Sequence, residues 1–324
     1  MGTRLKNLPV TRVVDGDTIK VLLNGRREFL RLHCVDTEES FANGSKPVTQ
    51  TGIASSEMAK RYFTEPDGKL TTVDVEFDSD DPLDVCLDKY RDTHGRLICY
   101  VHKGDENYNI RLIEDGWSPY YIKYGRSQLY HRQMMEAESL AQANHRLIWH
   151  PIPHHGKPFR NYELLAAWWA LRDGIIQDYR CHGMLAGALS VRFNYPEILA
   201  AATVEGWVTV FCDLQDGITK WIGNGALIHT GSKDHILKLW IPEAKHDENA
   251  PIVQLINRRY SGLGRGYVYV SGKVVMYRDK PEITLTLIQQ LSDFCPTAEE
   301  LAELIEQSRQ QEAAKVAAQV ESGT

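Results

Sequence analysis

Between residues 10 and 35 the chain reads as three short β-rich runs separated by tight polar turns: VTRVV, a turn at DGDT, IKVLL, a turn at NGRR, then EFLRLHCV. Runs this short, joined by so few residues, leave no room for a crossover helix and predict an antiparallel meander. In the third run Leu30, Leu32 and Cys34 alternate with Phe29, Arg31 and His33, so strand periodicity turns Arg31 away from the apolar face. A polar loop over 41–50 follows, then helical spacing over 51–63 and further strands at TTVDVEF and RLICYVH. Two more helices fit 108–115 and 127–143, with Ser127 as N-cap and Gly116 as stop signal. The simplest architecture for this half is a five-stranded barrel with three helices.

After Trp149 the segment HPIPHHGKP has the punctuation of a connector and predicts a domain boundary. A helical stretch runs from Tyr162 towards Tyr179. Beyond Gly206 strands return at WVTVFCDL, NGALIHT and DHILKLWIP, then in GYVYVSGKVVMYRDKPEITLTLIQQL after a helix over 252–259. This is a second five-strand pattern with a helix before its fourth strand. The end opens with a capping box, Thr297 with Glu300, before an amphipathic helix carrying Leu301, Leu304 and Ile305 on one stripe. The expectation is a mainly β fold with α (α+β): two five-stranded barrels of OB type joined by a helical connector, with a C-terminal helix. The boundaries are a first barrel domain over 1–150, the connector over 151–205, a second barrel domain over 206–295 and the C-terminal helix over 296–324.

A length of 324 residues suits two cores of ordinary size, and 43% hydrophobic with 25% charged residues is a soluble, folded composition. The net charge of -6 excludes a protein that coats nucleic acid through bulk positive charge, so any such contact must be local. No apolar run is long enough for a membrane span, and MGTRLKNLPVTRVV has no signal-peptide core; a cytoplasmic protein is expected, unless a leader has been removed. The six cysteines stand far apart, several in apolar strand-like runs, and read as buried thiols rather than a disulfide framework.

Asp15, Asp17, Asp36, Glu38 and Glu39 fall at strand ends beside loops, and Arg31 and Arg96 are candidates to face the same region. Carboxylates are hard oxygen ligands suited to Ca2+ or Mg2+, and no Cys/His spacing typical of zinc is present. Guanidinium groups stay protonated and grip phosphate through paired hydrogen bonds, so acids with arginines suggest phosphate chemistry. Residue types alone favour a plain solvated surface over phosphate chemistry. Spacing decides between the two.

The stretches VVDGDTIKV, RLHCVDTEE and DTHGRLICYV resemble the three signature segments of the staphylococcal nuclease (thermonuclease) family, and the likeness continues through NIRLIEDGW to LIWH, covering about residues 8–149. The resemblance implies that Asp17, Asp36 and the Thr37 carbonyl hold Ca2+, with Mg2+ or Mn2+ as second choices. It implies that Glu39 activates a water, and that Arg31 and a second arginine neutralise the pentacovalent phosphorus before cleavage leaves a 3′-phosphate. Glu38 stands where the family has Pro and offers a competing carboxylate. Arg91 and Arg96 both lie near the second-arginine fragment, and only Asp92 to Arg96 keeps the Asp-x-x-Gly-Arg order, which selects Arg96. Of the two nucleotide-packing tyrosines of the family, Tyr124 aligns, while Ile122 stands at the other position.

The segment 206–291 resembles an OB-fold of the nucleic-acid-binding sort. Val268 and Val270 are expected in its core, with Tyr267 and Tyr269 facing outward to stack bases among Arg258, Arg259, Arg265, Lys273, Arg278 and Lys280. His145, His150, His154 and His155 flank prolines and read as a solvated linker; Trp168 and Trp169 read as anchors of the helical connector on a barrel. The resulting expectation is a Ca2+-dependent nuclease acting on DNA or RNA with a preference for single strands, against two alternatives: a catalytically inactive nucleic-acid-binding protein, or a protein-binding scaffold.

Overall fold

The computed structural model describes residues 1–42, 46–151, 160–246 and 249–322, which form two compact units, Met1–Asp173 and Gly174–Thr324. The first unit begins with the expected meander: β1 (Arg4–Asp15), β2 (Thr18–Leu23) and β3 (Arg26–Leu32). Then come α1 (Gln50–Tyr62), β4 (Thr72–Glu76), α2 (Leu83–Lys89), β5 (Leu97–Lys103), the short β6 (Glu106–Asn107), α3 (Tyr108–Glu114) and α4 (His131–Ala143). The twelve-residue β1 is irregular in register and serves two partners, β2 along Val10–Asp15 and β4 along Arg4–Pro9. The parallel pair β3–β5 (Leu30 with Leu97, Arg31 with Ile98, Leu32 with Cys99) closes the barrel. Closure leaves no free edge among the five strands. Val13, Ile19, Val21, Leu30, Leu32, Val75, Leu97 and Val101 fill the interior, each contributing about 1.5–3 kcal/mol by burial.

Capping fixes the helices that flank the site. The Thr49 side chain accepts from the Gly52 N–H to start α1, and Asn107 accepts from the N–H groups of Asn109 and Ile110 to start α3. Helix α4 begins at His131, not at Ser127: the Ser127 hydroxyl instead accepts from the Tyr130 N–H at 2.7 Å, closing a turn before the helix. Helix α2 was not expected; its polar sequence LDVCLDK buries only Cys86 and carries too little periodicity to announce itself.

Helix α5 (Tyr162–Asp178) runs from the first unit into the second. The second unit continues with β7 (Leu189–Ser190), α6 (Tyr195–Thr203), β8 (Trp207–Asp213), β9 (Lys220–Ile222), β10 (Gly225–Gly231) and β11 (Ile236–Ile241). It ends with α7 (Ala250–Leu255), β12 (Tyr267–Tyr277), β13 (Lys280–Thr284), β14 (Leu291–Ser292) and α8 (Ala298–Ser322). Five strands lie in the order β8-β12-β13-β11-β10, with β11–β13 parallel and α7 between the third and fourth. This is the strand order of the first barrel, helix position included, so the OB-type expectation holds for both. Between β10 and β8 the Thr230 hydroxyl donates to the Asp213 carbonyl at 3.0 Å. Gly272 lets β12 pass close to β13, since a Cβ there would stand 2.5 Å from the Ile283 side chain.

One expectation of this unit is corrected. Val268 and Val270 are buried in the barrel core, and Tyr267 and Tyr269 do lie on the opposite face of β12, but that face is covered. Tyr269 is 1% exposed among Ile176, Tyr179, Ala188 and Phe211, and Phe211 stacks on Tyr179 at 4.3 Å and on Tyr267 at 5.1 Å. Alternation along a strand says which face a side chain takes, not what later packs on that face. All six cysteines are free thiols, but Cys181 is exposed and Cys295 only half-buried. Among the described residues no helix is long and apolar enough to cross a membrane.

Candidate active site

The turn between β1 and β2 places Asp17 beside the start of the second strand, where its carboxylate accepts from the Thr18 hydroxyl and the Thr37 N–H. Thr18 pairs with Arg31 across β2–β3, and the Leu32 N–H donates to the Asp17 carbonyl at 3.0 Å. The meander therefore sets Asp17 and Arg31 side by side. After Leu32 the chain turns through Cys34 in the left-handed region (φ 60°). The Asp36 N–H then donates to the Ser118 hydroxyl at 2.8 Å, which aims Asp36 back at the strand end.

Arg31 bridges the two aspartates, one terminal nitrogen on Asp17 Oδ2 and the other on Asp36 Oδ1 at 2.7 Å. Lys46 Nζ lies 3.3 Å from Asp36 Oδ2 and 3.3 Å from Glu39 Oε1, which brings Glu39 to the same cluster. Arg160 also donates to Asp36 Oδ2. Burial pushes the Asp36 carboxyl up, but Arg160, Arg31 and Lys46 outweigh that push and hold it below the usual carboxylate range. Asp15 goes the other way, pushed up to about 6 by burial and by the neighbouring Asp17.

The two adjacent glutamates have different environments. Glu38 is 3% exposed and fully engaged: Thr49 donates to one oxygen at 2.6 Å and Tyr162 to the other at 3.0 Å. Glu39 is only partly buried, with its carbonyl held by the Thr49 N–H and its side chain open apart from Lys46. Gly52 of α1 makes this possible, because a Cβ at that position would stand 2.1 Å from the Glu39 carbonyl oxygen.

Asp17, Arg31, Asp36, Thr37 and Glu39 are thus brought together. Arg96 immediately precedes β5, two residues before the position level with Arg31, and its Nε donates to Asp92 at 2.6 Å. It makes no contact with Asp17, Asp36 or Glu39, contrary to the expected convergence, because the Asp92 turn engages it locally. Arg91 is bound to Glu28. Tyr124 is 51% exposed, edge-on to Tyr121, with Lys123 Nζ 4.9 Å from its ring; the Tyr121 N–H donates to the Cys34 carbonyl and so ties this loop to the site. Ile122 packs against the small cluster of Ile148, Tyr162 and Trp169.

Lys46, Arg160 and Tyr162 were not expected at the site. Lys46 sits in a loop of mixed polar residues, and the partners of Arg160 and Tyr162 lie 124 residues away in sequence, beyond the reach of any local pattern. Trp169 does anchor its segment to the first barrel, edge-on to Tyr121 at 4.9 Å. His145 and His150 are exposed; His154 and His155, with most of the HPIPHHGKP connector, lie outside the described residues.

In the second unit three of the six basic residues expected beside the tyrosines are committed to acids, and Lys280 donates to the Asp234 carbonyl at 3.3 Å. Arg259 and Arg265 pair with Asp293, Lys273 pairs with Glu205 at 2.6 Å, and Arg278 lies over the Tyr277 ring. Arg258 is exposed.

The donor set suits a hard divalent cation. Two buried carboxylates converge on a single guanidinium, and the buried Thr37 hydroxyl beside Asp17 has no hydrogen-bond partner among the described residues. Among the described residues no group of three or more His, Cys, Asp or Glu side chains has metal-binding geometry, so protein side chains alone offer two ligands, as in sites completed by backbone and solvent oxygens.

Residues 29–151 match the family profile described as staphylococcal nuclease homologue. The chain is 31% identical over 140 residues to a thermonuclease of Staphylococcus intermedius, covering 43% of this chain and 74% of that protein. It is equally similar, 31% over 140 residues, to a thermonuclease of Staphylococcus hyicus, of which 73% is covered. It is 31% identical over 146 residues to the endonuclease YncB of Bacillus subtilis (strain 168), covering 45% of this chain and 63% of that protein.

Proposed function

Since the chain belongs to the staphylococcal nuclease family, we propose that it is a Ca2+-dependent nuclease that hydrolyses phosphodiester bonds of DNA or RNA, leaving 3′-phosphate ends. The observation that carries this reading is the convergence of Asp17 and Asp36 on Arg31, with Glu39 joined to them through Lys46. Asp17, Asp36 and the Thr37 carbonyl would hold the ion. When bound, Ca2+ supplies Lewis-acid stabilisation of charge on the phosphoryl oxygens.

The remaining steps belong to the chain's own side chains. Glu39, accessible and adjacent to the cationic cluster, accepts a proton from the attacking water. Arg31, preorganised by two aspartates, presents N–H donors to the phosphate as negative charge builds on its oxygens. Arg96 would join it on release from Asp92. Tyr124, half-exposed beside Lys123, offers a surface on which a nucleotide base can pack.

The second unit would add affinity for unpaired strands through Arg258, Arg278 and the edge of Tyr267. Tyr269, enclosed by its aromatic neighbours, has no part in this. The basic residues paired with Asp293 and Glu205 contribute only if nucleic acid displaces those acids. A matched set of single- and double-stranded DNA and RNA, incubated with Ca2+, Mg2+, Mn2+ or a chelator, tests each element. Expected are Ca2+-dependent cleavage, faster on single strands, and products that accept 5′ labelling directly but need phosphatase before 3′ extension. Products with free 3′-hydroxyls, or undiminished cleavage in chelator, would overturn the reading.

A further inference from the structure

Arg160 stands outside the segment matched by the family profile, which ends at residue 151, yet it reaches the centre of the site. It is 9% exposed, and its guanidinium takes one Asp36 oxygen while that of Arg31 takes the other. Several contacts fix it there. Tyr162, two residues on, donates to Glu38 at 3.0 Å and packs on Trp149, ring centroids 5.7 Å apart. Farther along α5, Trp169 meets Tyr121, and Asp173 accepts from the Arg126 N–H and Nε at 2.7 Å each. A side chain ordered this thoroughly has surrendered its conformational entropy before any ligand arrives.

Two guanidinium groups on the two oxygens of one carboxylate also match the spacing of two non-bridging oxygens on a phosphodiester, the anion this site is read to bind. Arg31, Arg160 and Lys46 surround Asp36, and of these Arg31 is shared with Asp17 and Lys46 with Glu39. Of the other arginines near the signature segments, Arg96 is held at Asp92 and Arg91 at Glu28, whereas Arg160 is already paired with Asp36 at the centre of the site.

We propose that Arg160 is a phosphate-binding residue of this site, pairing with Arg31 to clamp the scissile phosphodiester, and that the chain following the nuclease barrel supplies this group. The proposal rests on the nuclease reading above, and its test separates the two. The full chain is prepared as wild type, Arg160→Ala and Arg160→Lys, together with the same two substitutions in a Glu39→Gln background that retains substrate.

Removing one preorganised donor from a site of this kind lowers kcat/KM by roughly 10²–10³, the effect expected of Arg160→Ala. Arg160→Lys keeps the charge beside Asp36 and hence the fold, but loses the fork, and should recover less than about a tenth of the lost rate. In the Glu39→Gln background with Ca2+, binding of a fluorescein-labelled single-stranded oligonucleotide is followed by anisotropy across salt concentrations. Loss of one phosphate contact in Arg160→Ala should make the slope of log K against log salt shallower by about 0.7. An unchanged slope, or Arg160→Lys cleaving as wild type does, would overturn the proposal and leave Arg160 a structural partner of Asp36. If Arg160→Ala does not fold, the Lys variant decides by its cleavage rate alone, since it keeps the charge that sets the salt slope. A wild type that cleaves nothing removes the nuclease reading instead, while a shallower slope would still report a phosphate contact.

Discussion

Asp15 and Asp36 are both buried aspartates within one site, yet their surroundings drive them in opposite directions: burial and Asp17 raise Asp15, while three cations hold Asp36 ionised. An Asp36 held ionised is what its proposed ion-binding role requires. The same logic separates the adjacent glutamates. Glu38 spends both oxygens on Thr49 and Tyr162 and is sealed from solvent, so it cannot reach a water. Glu38→Gln is therefore expected to lower stability by about 1.5–3 kcal/mol, the worth of a hydrogen bond to a charged group, in a urea titration, and to leave kcat within about fivefold of wild type. A loss of activity from Glu38→Gln as deep as that from removing Glu39 would reassign the base.

At the scale of elements, α1 acts as a template for the loop that carries Glu39, because Gly52 lets its backbone touch that of Glu39. Gly52→Ala raises intrinsic helix propensity by up to about 1 kcal/mol, but its methyl group would collide with a carbonyl that cannot rotate away. The expected outcome is a destabilised protein whose kcat falls by at least about tenfold, since a displacement near 1 Å is enough for that. Wild-type kinetics in this variant would mean the loop is not fixed by the helix.

Helix α4 carries a second testable group, Glu138, which accepts from the Tyr120 N–H at 2.8 Å. Burial pushes its carboxyl up to about 7, against the opposing pull of that N–H. The folded state therefore binds a proton that the unfolded state releases near pH 4.5, and its contribution to stability is full below that pH and lost as pH rises towards 7. Glu138→Gln should remove this decline, making the variant more stable than wild type at pH 8 by about 1–3 kcal/mol and no different at pH 4. Melting curves across that range with the two proteins superimposed throughout would show that Glu138 ionises normally.

For the whole molecule, what local sequence could reveal follows from how far each interaction reaches. The meander, the apolar faces of β3 and β12 and the helix of α7 are encoded by neighbours a few residues apart, and the positions of Asp17, Arg31, Asp36 and Glu39 follow once those strands form. The covering of Tyr269 by residues 176–188, and the arrival of Arg160 and Tyr162 on acids 124 residues earlier, depend on tertiary packing that no periodicity records. Arg96 shows the converse: a motif order read correctly along the chain, but with the side chain engaged by a local acid.

The central claim is that Asp17 of the β1–β2 turn, Arg31 of β3 and Asp36, Thr37 and Glu39 of the loop after it act as one phosphodiesterase site with Glu39 as its base. The most direct measurement is single-turnover cleavage of a labelled single-stranded DNA by wild type and Glu39→Gln, with Ca2+ and with chelator. The account predicts that wild type cleaves only with Ca2+, and that Glu39→Gln, equally folded by circular dichroism, is slower by at least about 10². Equal rates for the two proteins, or cleavage that ignores the chelator, would contradict it.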